Sequence, residues 1–510
     1  MKKFKLFNIR TFVVIALSQI IGIYFASYFP SFGVWARIIP VIVLTAVFVP
    51  YIIFCPHEKR LVACVTAVIG LAMVFIGGTM VTDSAKKVEL SAVSEGNYRV
   101  KGVVDYISYN DGKYNVRLTE CFYNDIPAGN IAIYGVDKRF SICEIIEFDC
   151  DVTSSDILFD GRYSSYVYNR VSNIAGNVTA IKTIGIKKTV RYFFGAFVND
   201  KCSAMSENSR NITFGLICGD TSFMEYKTDI YRATGIAHVF AVSGMHVGLL
   251  CAFLSFVLKP LPINRAWKSL LTICTIVTYS WVCGFSASSL RAAIICSVYL
   301  IVGILYEKKD SLSALAIASL VVLSVDPFDL FGVGYILSFS LCLSLMTLAP
   351  AISARIGGKS EKLSGNIGML IAAEAVAIPL SVKYFGGFPL VSAIANLLIV
   401  PAVSYCFYFA FAGLALSTFI PPRICMFLAD NLLGGIDYIT SFLAGARASI
   451  TIFPTLAMLI YYCALIISSD IVHADVKVKR VSAGVAIIIV FCIADCSCCL
   501  KNICHFLCRC

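Results

Sequence analysis

Residues 234–250 read TGIAHVFAVSGMHVGLL and place two histidines, a serine and three glycines at the start of an apolar helical segment. A strongly polar or ionisable side chain in hydrocarbon costs about 2.5–3.5 kcal/mol on insertion scales. These polar groups should therefore face protein or water rather than lipid. The segment is a candidate for the lining of a path across a membrane.

The composition of the whole chain is typical of a membrane protein. Of 510 residues, 58% are hydrophobic and 14% are charged, whereas about 25% are charged in an ordinary soluble domain. The mean hydropathy is +0.82. The sequence therefore predicts a polytopic α-helical membrane protein. Residues 82–185 carry a net charge of −3 although the chain carries +11, which predicts one soluble domain inserted into the membrane body.

Apolar segments indicate how the membrane body is divided. A helix of about 20 apolar residues crosses a hydrocarbon core of about 30 Å, and by that measure the chain has about 11–12 spans. The first block, residues 1–81, is a three-helix segment, and the second block covers residues 241–500. Residues 424–446 leave the count open, because they read either as a span or as an interfacial helix.

Basic loops predict the orientation. Lysines and arginines precede the first span and recur at Lys59 and Arg60, and basic loops stay on the cytoplasmic side. The N-terminus is therefore expected in the cytoplasm and the soluble insert outside the cell.

The insert, residues 97–184, changes to a period-two pattern of apolar residues that is typical of strands. Asn110, Asp111, Gly112 and Lys113 separate two such runs and predict a hairpin turn. About five short strands without a long helix favour a small β-barrel, with an OB-like fold as the leading candidate. Residues 187–240 then read as an amphipathic surface helix, 187–205, and a connector.

Three cysteines lie in this insert. Cys121 could pair with Cys143 or Cys150, since disulfides persist outside the cytoplasm. The insert also holds many tyrosines, on which bases could stack. Its negative charge argues against strong binding of nucleic acid by the insert alone.

Ser243 and His246 share one helix face because they lie three residues apart. Three interpretations remain open: a lining for a polyanion, tight helix packing with backbone-bonded histidines, or an intramembrane hydrolase that uses the pair. The hydrolase lacks the G-x-S-x-G turn and an evident orienting acid.

A second polar cluster, residues 284–292, opens another helix with Ser288, Ser289 and Arg291. Exposed N–H groups and a guanidinium favour an anion such as phosphate. The alternative is that Arg291 reaches the outer headgroups while a serine caps the helix.

Glu374 is an acid in the middle of an apolar segment, 367–385. It should be protonated or paired with Arg291 or Lys383, either as a structural pair or as a gate. Asn396 follows within another apolar run that contains helix breakers, and broken helices are tolerated where they line a cavity.

In this order and spacing, several motifs resemble the ComEC-type competence membrane proteins. The motifs are Gly219-Asp220, residues 234–238, 241–248, 288–292, 326–327, 334–339 and 395–401. The resemblance implies a channel that carries one strand of transforming DNA across the bacterial cytoplasmic membrane. We expect the path to be lined by Asp220, His238, Ser243, Gly244, His246, Ser288, Arg291 and Asn396. The resemblance also implies an extracellular DNA receptor, an ATP-dependent helicase-like protein in the cytoplasm and a separate nuclease as partners.

The chain differs from many members of that family in one respect. Those members continue into a metallo-β-lactamase-like domain, and this form is expected to lack it. The five histidines do not form an H-x-H-x-D-H site, and no G-x-x-x-x-G-K-[ST] sequence is present. We therefore expect no cofactor, no metal and no catalytic residue. The Cys-rich tail, 501–510, lacks the spacing of a known zinc finger. A small-molecule or ion transporter that uses Glu374 remains a rival function.

Overall fold

The structure is a computed structural model. It describes residues 11–29, 33–54, 60–110, 112–154, 171–219, 228–240, 244–284, 287–304, 310–357, 360–445, 449–469, 478–479, 481–486 and 488–489. The predicted Cys-rich tail, 501–510, and Asp111 of the predicted turn lie outside the described residues.

The N-terminal block consists of three helices, α1 (Thr11–Tyr28), α2 (Trp35–Phe54) and α3 (Arg60–Ser91). Helices α1 and α3 pack backbone to backbone. A Cβ on Gly22 would lie 2.1 Å from the carbonyl oxygen of Val74, so only glycine permits this approach. Helix α3 runs on to Ser91, past the predicted end at residue 81, and leads directly into the β domain.

The soluble insert forms a six-stranded sheet. Its strands are β1 (Gly96–Asn110), β2 (Lys113–Tyr123), β3 (Ile126–Ala128), β4 (Ile131–Val136), β5 (Glu144–Ser154) and β6 (Asn173–Ile186). Their order is β1-β5-β6-β4-β2-β3, with a further pairing between β1 and β2. All pairings are antiparallel except that of β4 with β6. A six-stranded sheet is thus present where about five strands were predicted, but the predicted small barrel is not confirmed.

The predicted hairpin is confirmed. Asn110 pairs with Lys113 at the end of the β1–β2 ladder, and Gly112 has a φ of 80°, which a residue with a side chain rarely adopts. The period-two pattern also marks the core, since Val100 and Val104 of β1 are buried. Alternation of apolar residues therefore located this sheet correctly.

The disulfide suggested for the insert is not formed. All three cysteines are free and buried. Cys121 on β2 and Cys150 on β5 lie on opposite sides of β1, about 10 Å apart at the usual strand spacing, and a disulfide needs Cα atoms within about 7 Å. Cys143 Sγ instead lies 3.4 Å from Thr189 Oγ1.

A helical connector follows the sheet. It consists of α4 (Val190–Cys202), α5 (Glu207–Cys218), α6 (Thr228–Ala233) and α7 (Ala237–Phe240). Thr189 caps α4 by accepting a hydrogen bond from the Tyr192 N–H. A helix is thus present within the predicted 187–205, with shorter bounds, whereas α5 was not predicted.

Arg191 on α4 joins the β domain to the second membrane block. Its Nη1 donates to a carboxylate oxygen of Asp105 at 3.0 Å and to the Asp105 carbonyl at 3.1 Å. The same guanidinium lies against Gly284, where a Cβ would come within 3.0 Å of it. Asp105 also accepts a hydrogen bond from Arg117 at 2.6 Å, so one carboxylate balances two cations.

The second membrane block contains nine described α-helices and one 3₁₀ turn between residues 244 and 468. They are α8 (Gly244–Leu258), α9 (Arg265–Val282), α10 (Ala287–Ile304), α11 (Ser311–Val325), the 3₁₀ turn Pro327–Phe331, α12 (Val333–Ile356), α13 (Glu361–Phe385), α14 (Ser392–Leu416), α15 (Pro422–Leu443) and α16 (Thr455–Ser468). Two short strands, β7 (Phe388–Pro389) and β8 (Ser449–Ile450), pair across it.

Five helices of the described chain are long and apolar enough to cross a membrane. They are α1, α3, α12, α13 and α14. Five further segments of 10–17 residues are apolar but shorter. The fold is therefore mostly helical with candidate membrane spans and a separate sheet. Residues 424–446 fall largely in α15, which buries Met426, Leu433 and Ile436 and exposes the aromatic side chains of Tyr438 and Phe442.

We expect the buried thiols of the sheet to stay unreactive in mild alkali. Burial raises the pKa of Cys121 and of Cys150 from 9.0 to about 12. An unfolded chain would lose these protons near pH 9 while the folded chain keeps them. The free energy of unfolding should therefore fall as the pH rises from about 9 towards 12. Mass spectrometry after thiol alkylation at increasing pH measures how reactive the two thiols are in the folded protein.

A cysteine introduced at the exposed hairpin position Lys113 supplies the control, because its thiol should be alkylated readily below pH 9. Alkylation of Cys121 in the folded protein at the rate of that control would contradict the prediction.

Candidate functional site

Within the quoted stretch 234–250, helix α7 ends at Phe240 and α8 begins at Gly244. Residues 241–243 lie outside the described residues. Asp220 and Ser243, both predicted to line a path, lie outside the described residues. Gly219, beside Asp220, closes helix α5 with a left-handed φ of 76° and donates its N–H to the Gly215 carbonyl, as a glycine C-cap does.

Gly235 brings the start of this stretch against helix α14. Its φ is 74°, and a Cβ at this position would lie 2.7 Å from the Cβ of Ser392. His238, one turn later, has its Nδ1 3.1 Å from the Gly235 carbonyl oxygen and an exposed side chain. Of the two predicted histidines, His238 is the one that reaches accessible space.

His246 is enclosed by packing. Its side chain is 0% exposed, and its ring centroid lies 5.2 Å from that of Phe407 on α14. Gly244, at the start of α8, also packs against a neighbouring helix. A Cβ on Gly244 would lie 3.3 Å from the Cβ of Ala292 on α10. These contacts favour the packing interpretation for both residues, with α8 held against α10 and α14.

Arg291 ties α10 to α12. It is 1% exposed, the largest of the fully buried side chains in the described chain. Its Nη2 donates to the Gly334 carbonyl at 2.7 Å, and its guanidinium carbon lies 5.9 Å from the ring centroid of Phe339. The alternative in which Arg291 reaches the lipid headgroups is therefore wrong. Ser288, three residues earlier, is half-buried.

Glu374 on α13 is held by α14 rather than by a cation. Asn396 Nδ2 donates to Glu374 Oε1 at 2.8 Å, and Ser392 Oγ lies 3.5 Å from the same oxygen. Asn396 Nδ2 also lies 3.3 Å from Ser392 Oγ. Lys383, suggested as an ion-pair partner, instead places its Nζ 5.5 Å from the ring centroid of Tyr384. The suggested pairs with Arg291 and Lys383 are therefore replaced by amide and hydroxyl contacts.

Two contributors were missed by the sequence analysis. Ser392 could have been found, since it lies four residues before Asn396 and so on the same helix face. The Gly334 carbonyl could not, because a backbone acceptor for Arg291 leaves no mark on the sequence. Among the described residues, no three His, Cys, Asp or Glu side chains group as a metal site requires.

Polar groups enclosed between long apolar helices, with a separate sheet on the same chain, define a multi-pass integral membrane protein. Residues 216–469 match the model of a family described as Competence protein. The chain belongs to this competence protein family, as the motif resemblance predicted. The match covers α8 to α16 and includes every polar contact of the membrane block described above.

A curated relative agrees with the family match. The chain is 26% identical over 409 residues to ComE operon protein 3 of Bacillus subtilis (strain 168). That alignment covers 77% of this chain and 50% of the relative, so the chain spans about half the length of the relative it matches. No solved structure matches the chain.

We expect Gly235→Ala to destabilise the membrane block. A side chain at a left-handed φ costs about 1–3 kcal/mol, and the Cβ contact with Ser392 adds to that cost. The thermal midpoint of the purified protein in detergent should fall. Gly248→Ala is the matched control, because nothing lies within 4 Å of a Cβ there.

Gly235→Ala should lower the midpoint less in a Ser392→Gly background than in the parent protein, because the Cβ–Cβ contact is then absent and only the backbone strain remains. Equal midpoints for Gly235→Ala and Gly248→Ala would refute the close approach.

We expect Arg291→Gln to destabilise the fold, and Arg291→Lys to restore it only in part. A buried carbonyl left without its donor costs about 1–3 kcal/mol, and lysine lacks the planar fork of arginine. Thermal unfolding measures the loss, with the exposed Lys362→Gln as control. A stable Arg291→Gln protein would return Arg291 to the role of a phosphate contact.

Proposed function

We propose that this chain takes up DNA, as a channel that carries a single strand across the bacterial cytoplasmic membrane. The observation that carries the proposal is the competence family match over residues 216–469. The polar contacts of α8, α10, α12, α13 and α14 fall within that match. DNA is a polyanion, and its path needs polar groups that are kept from lipid.

We divide the predicted lining residues into two groups by their exposure. His238 is exposed and Ser288 is half-buried, so these two are the candidates for direct contact with the strand, together with Asp220 and Ser243. Gly244, His246, Arg291 and Asn396 act behind them by holding the helices that present the lining.

We further propose that the β domain is OB-like and extracellular. The pairing of β1 with both β5 and β2 and the parallel pairing of β4 with β6 support the OB-like arrangement. The positive-inside rule supports the location and a cytoplasmic N-terminus. With a net charge of −3 over residues 82–185, this domain does not serve as the main DNA-binding surface.

The proposed body has about 11–12 spans. Ten apolar helical segments of the described chain support a count in this range. As in the resemblance, an extracellular receptor would deliver DNA, a separate nuclease would remove the other strand, and a cytoplasmic ATP-dependent protein would pull the strand in. Membrane lipid surrounds the body.

A second candidate function is the transport of a small molecule or ion. The observation that favours it is the buried polar contact between Glu374, Ser392 and Asn396, since acids inside a membrane body commonly mark ion pathways.

Uptake of labelled DNA by a deletion strain of the source bacterium separates these functions. We expect the strain to bind DNA at its surface and to admit none to the cytoplasm. His238→Ala should lower uptake at least tenfold at an unchanged protein level, because it removes a polar group from the lining. Thr275→Ala, an exposed change on α9, should leave uptake unchanged.

Normal transformation by the deletion strain would overturn the channel proposal. Normal uptake by His238→Ala, with the deletion strain defective, would keep the function and remove His238 from the path.

A further inference from the structure

Within the described part of the chain, two oxygen atoms of the Glu374 contact have no donor. Glu374 Oε2 and Asn396 Oδ1 are each buried from water and accept no hydrogen bond. Both belong to the pair in which Asn396 Nδ2 donates to Glu374 Oε1 at 2.8 Å. A buried acceptor without a donor costs about 1–3 kcal/mol, and more if it is charged. An ionised Glu374 would leave both costs in place.

The donors that could reach these atoms are used elsewhere. Asn396 Nδ2 and Ser392 Oγ both face Oε1 of the carboxyl group. On α16, the hydroxyl groups of Tyr461 and Tyr462 donate to the Ala375 and Val376 carbonyls at 2.8 Å and 3.0 Å. No described side chain therefore supplies the hydrogen that Oε2 and Oδ1 both lack.

We propose that Glu374 is a proton-binding site, in which the proton sits on Oε2 and is donated towards Asn396 Oδ1. One hydrogen atom then satisfies both oxygens and makes the group neutral, which removes the cost of a buried anion. Carboxylic acid and carboxamide groups match in this way, because each offers one donor and one acceptor side by side. Ser392 supports the pair from the next turn of α14.

A proton fits this site better than a metal cation. A cation needs several oxygen atoms turned towards it, whereas Asn396 turns its N–H towards the carboxyl group. The permanent charges on the packed elements lie away from the pair. On α12, Arg355 donates to the Ser468 carbonyl at 3.1 Å, and on α13 Lys383 lies over Tyr384. His238 contacts the Gly235 carbonyl, and Gly235 in turn lies against Ser392, so the His238 ring is separated from the pair by these residues.

Release of the proton would act on the lining segment. The anion left behind would have an uncompensated oxygen in the protein interior, and the pair would have to open to let water reach it. Ser392 touches both Glu374 and the Gly235 turn. Proton binding at Glu374 is therefore linked by direct contact to the turn that carries His238.

A hydrophobic carbodiimide tests the proposal, because it modifies protonated carboxyl groups inside a membrane protein. With the full chain in lipid nanodiscs, Glu374 should be modified near pH 6, as peptide mass spectrometry detects. Modification should fall about tenfold per pH unit above the midpoint of the site. Glu361, exposed at the start of the same helix, is the control carboxyl group and should remain unmodified at the same pH, because the reagent acts inside the membrane body.

Two further measurements keep the test decisive. Glu374→Gln supplies an N–H to Asn396 Oδ1 and should keep the thermal midpoint of the parent, whereas Glu374→Met removes the hydrogen bonds and should lower it. Sodium chloride, compared with choline chloride at equal ionic strength, should not protect Glu374. Absence of modification between about pH 5 and 9, or protection by sodium, would overturn the proposal.

Discussion

Hydrocarbon offers no hydrogen bonds, and this constraint governs the membrane body of the protein. Every polar group placed there must find a partner within the protein. Arg291 meets the requirement with the Gly334 carbonyl and the face of Phe339. Glu374 meets it only in part, through Asn396 and Ser392. The difference between a satisfied group and a half-satisfied one separates a structural residue from a functional candidate in this fold.

Small residues make these contacts possible, since polar side chains can meet across helices only when the helices come close. Gly244 lets α8 lie on α10 beside Ser288. A Cβ on Gly368 of α13 would lie 2.9 Å from the carbonyl oxygen of Ala349 on α12, so glycine permits this close approach as well. A Cβ on Gly413 of α14 would likewise lie 2.9 Å from the carbonyl oxygen of Cys425 on α15. The buried polar contacts between helices therefore depend on the close helix packing that these glycines permit.

The sequence analysis succeeded where the signal was local. Alternating residues located the strands of the insert, the residues around Gly112 located the hairpin, and apolar runs located the helices. Motif order located the family. Prediction from the sequence failed where the decisive contact joins residues that are far apart in the chain. Nothing near Arg291 in the sequence indicates that its partner is a carbonyl on α12. The disulfide expectation failed because strand order places β1 between Cys121 and Cys150.

The contact of Arg191 with Asp105 and Gly284 has a consequence for biosynthesis. Chains are made from the N-terminus, and domains fold as units as they emerge. The sheet that holds Asp105 is complete before α9 and α10 are synthesised. Arg191 can thus be fixed by its carboxylate first, and the glycine turn at Gly284 arrives later against a guanidinium already in place. The β domain and Arg191 are in this way made before the turn at Gly284 that packs against them.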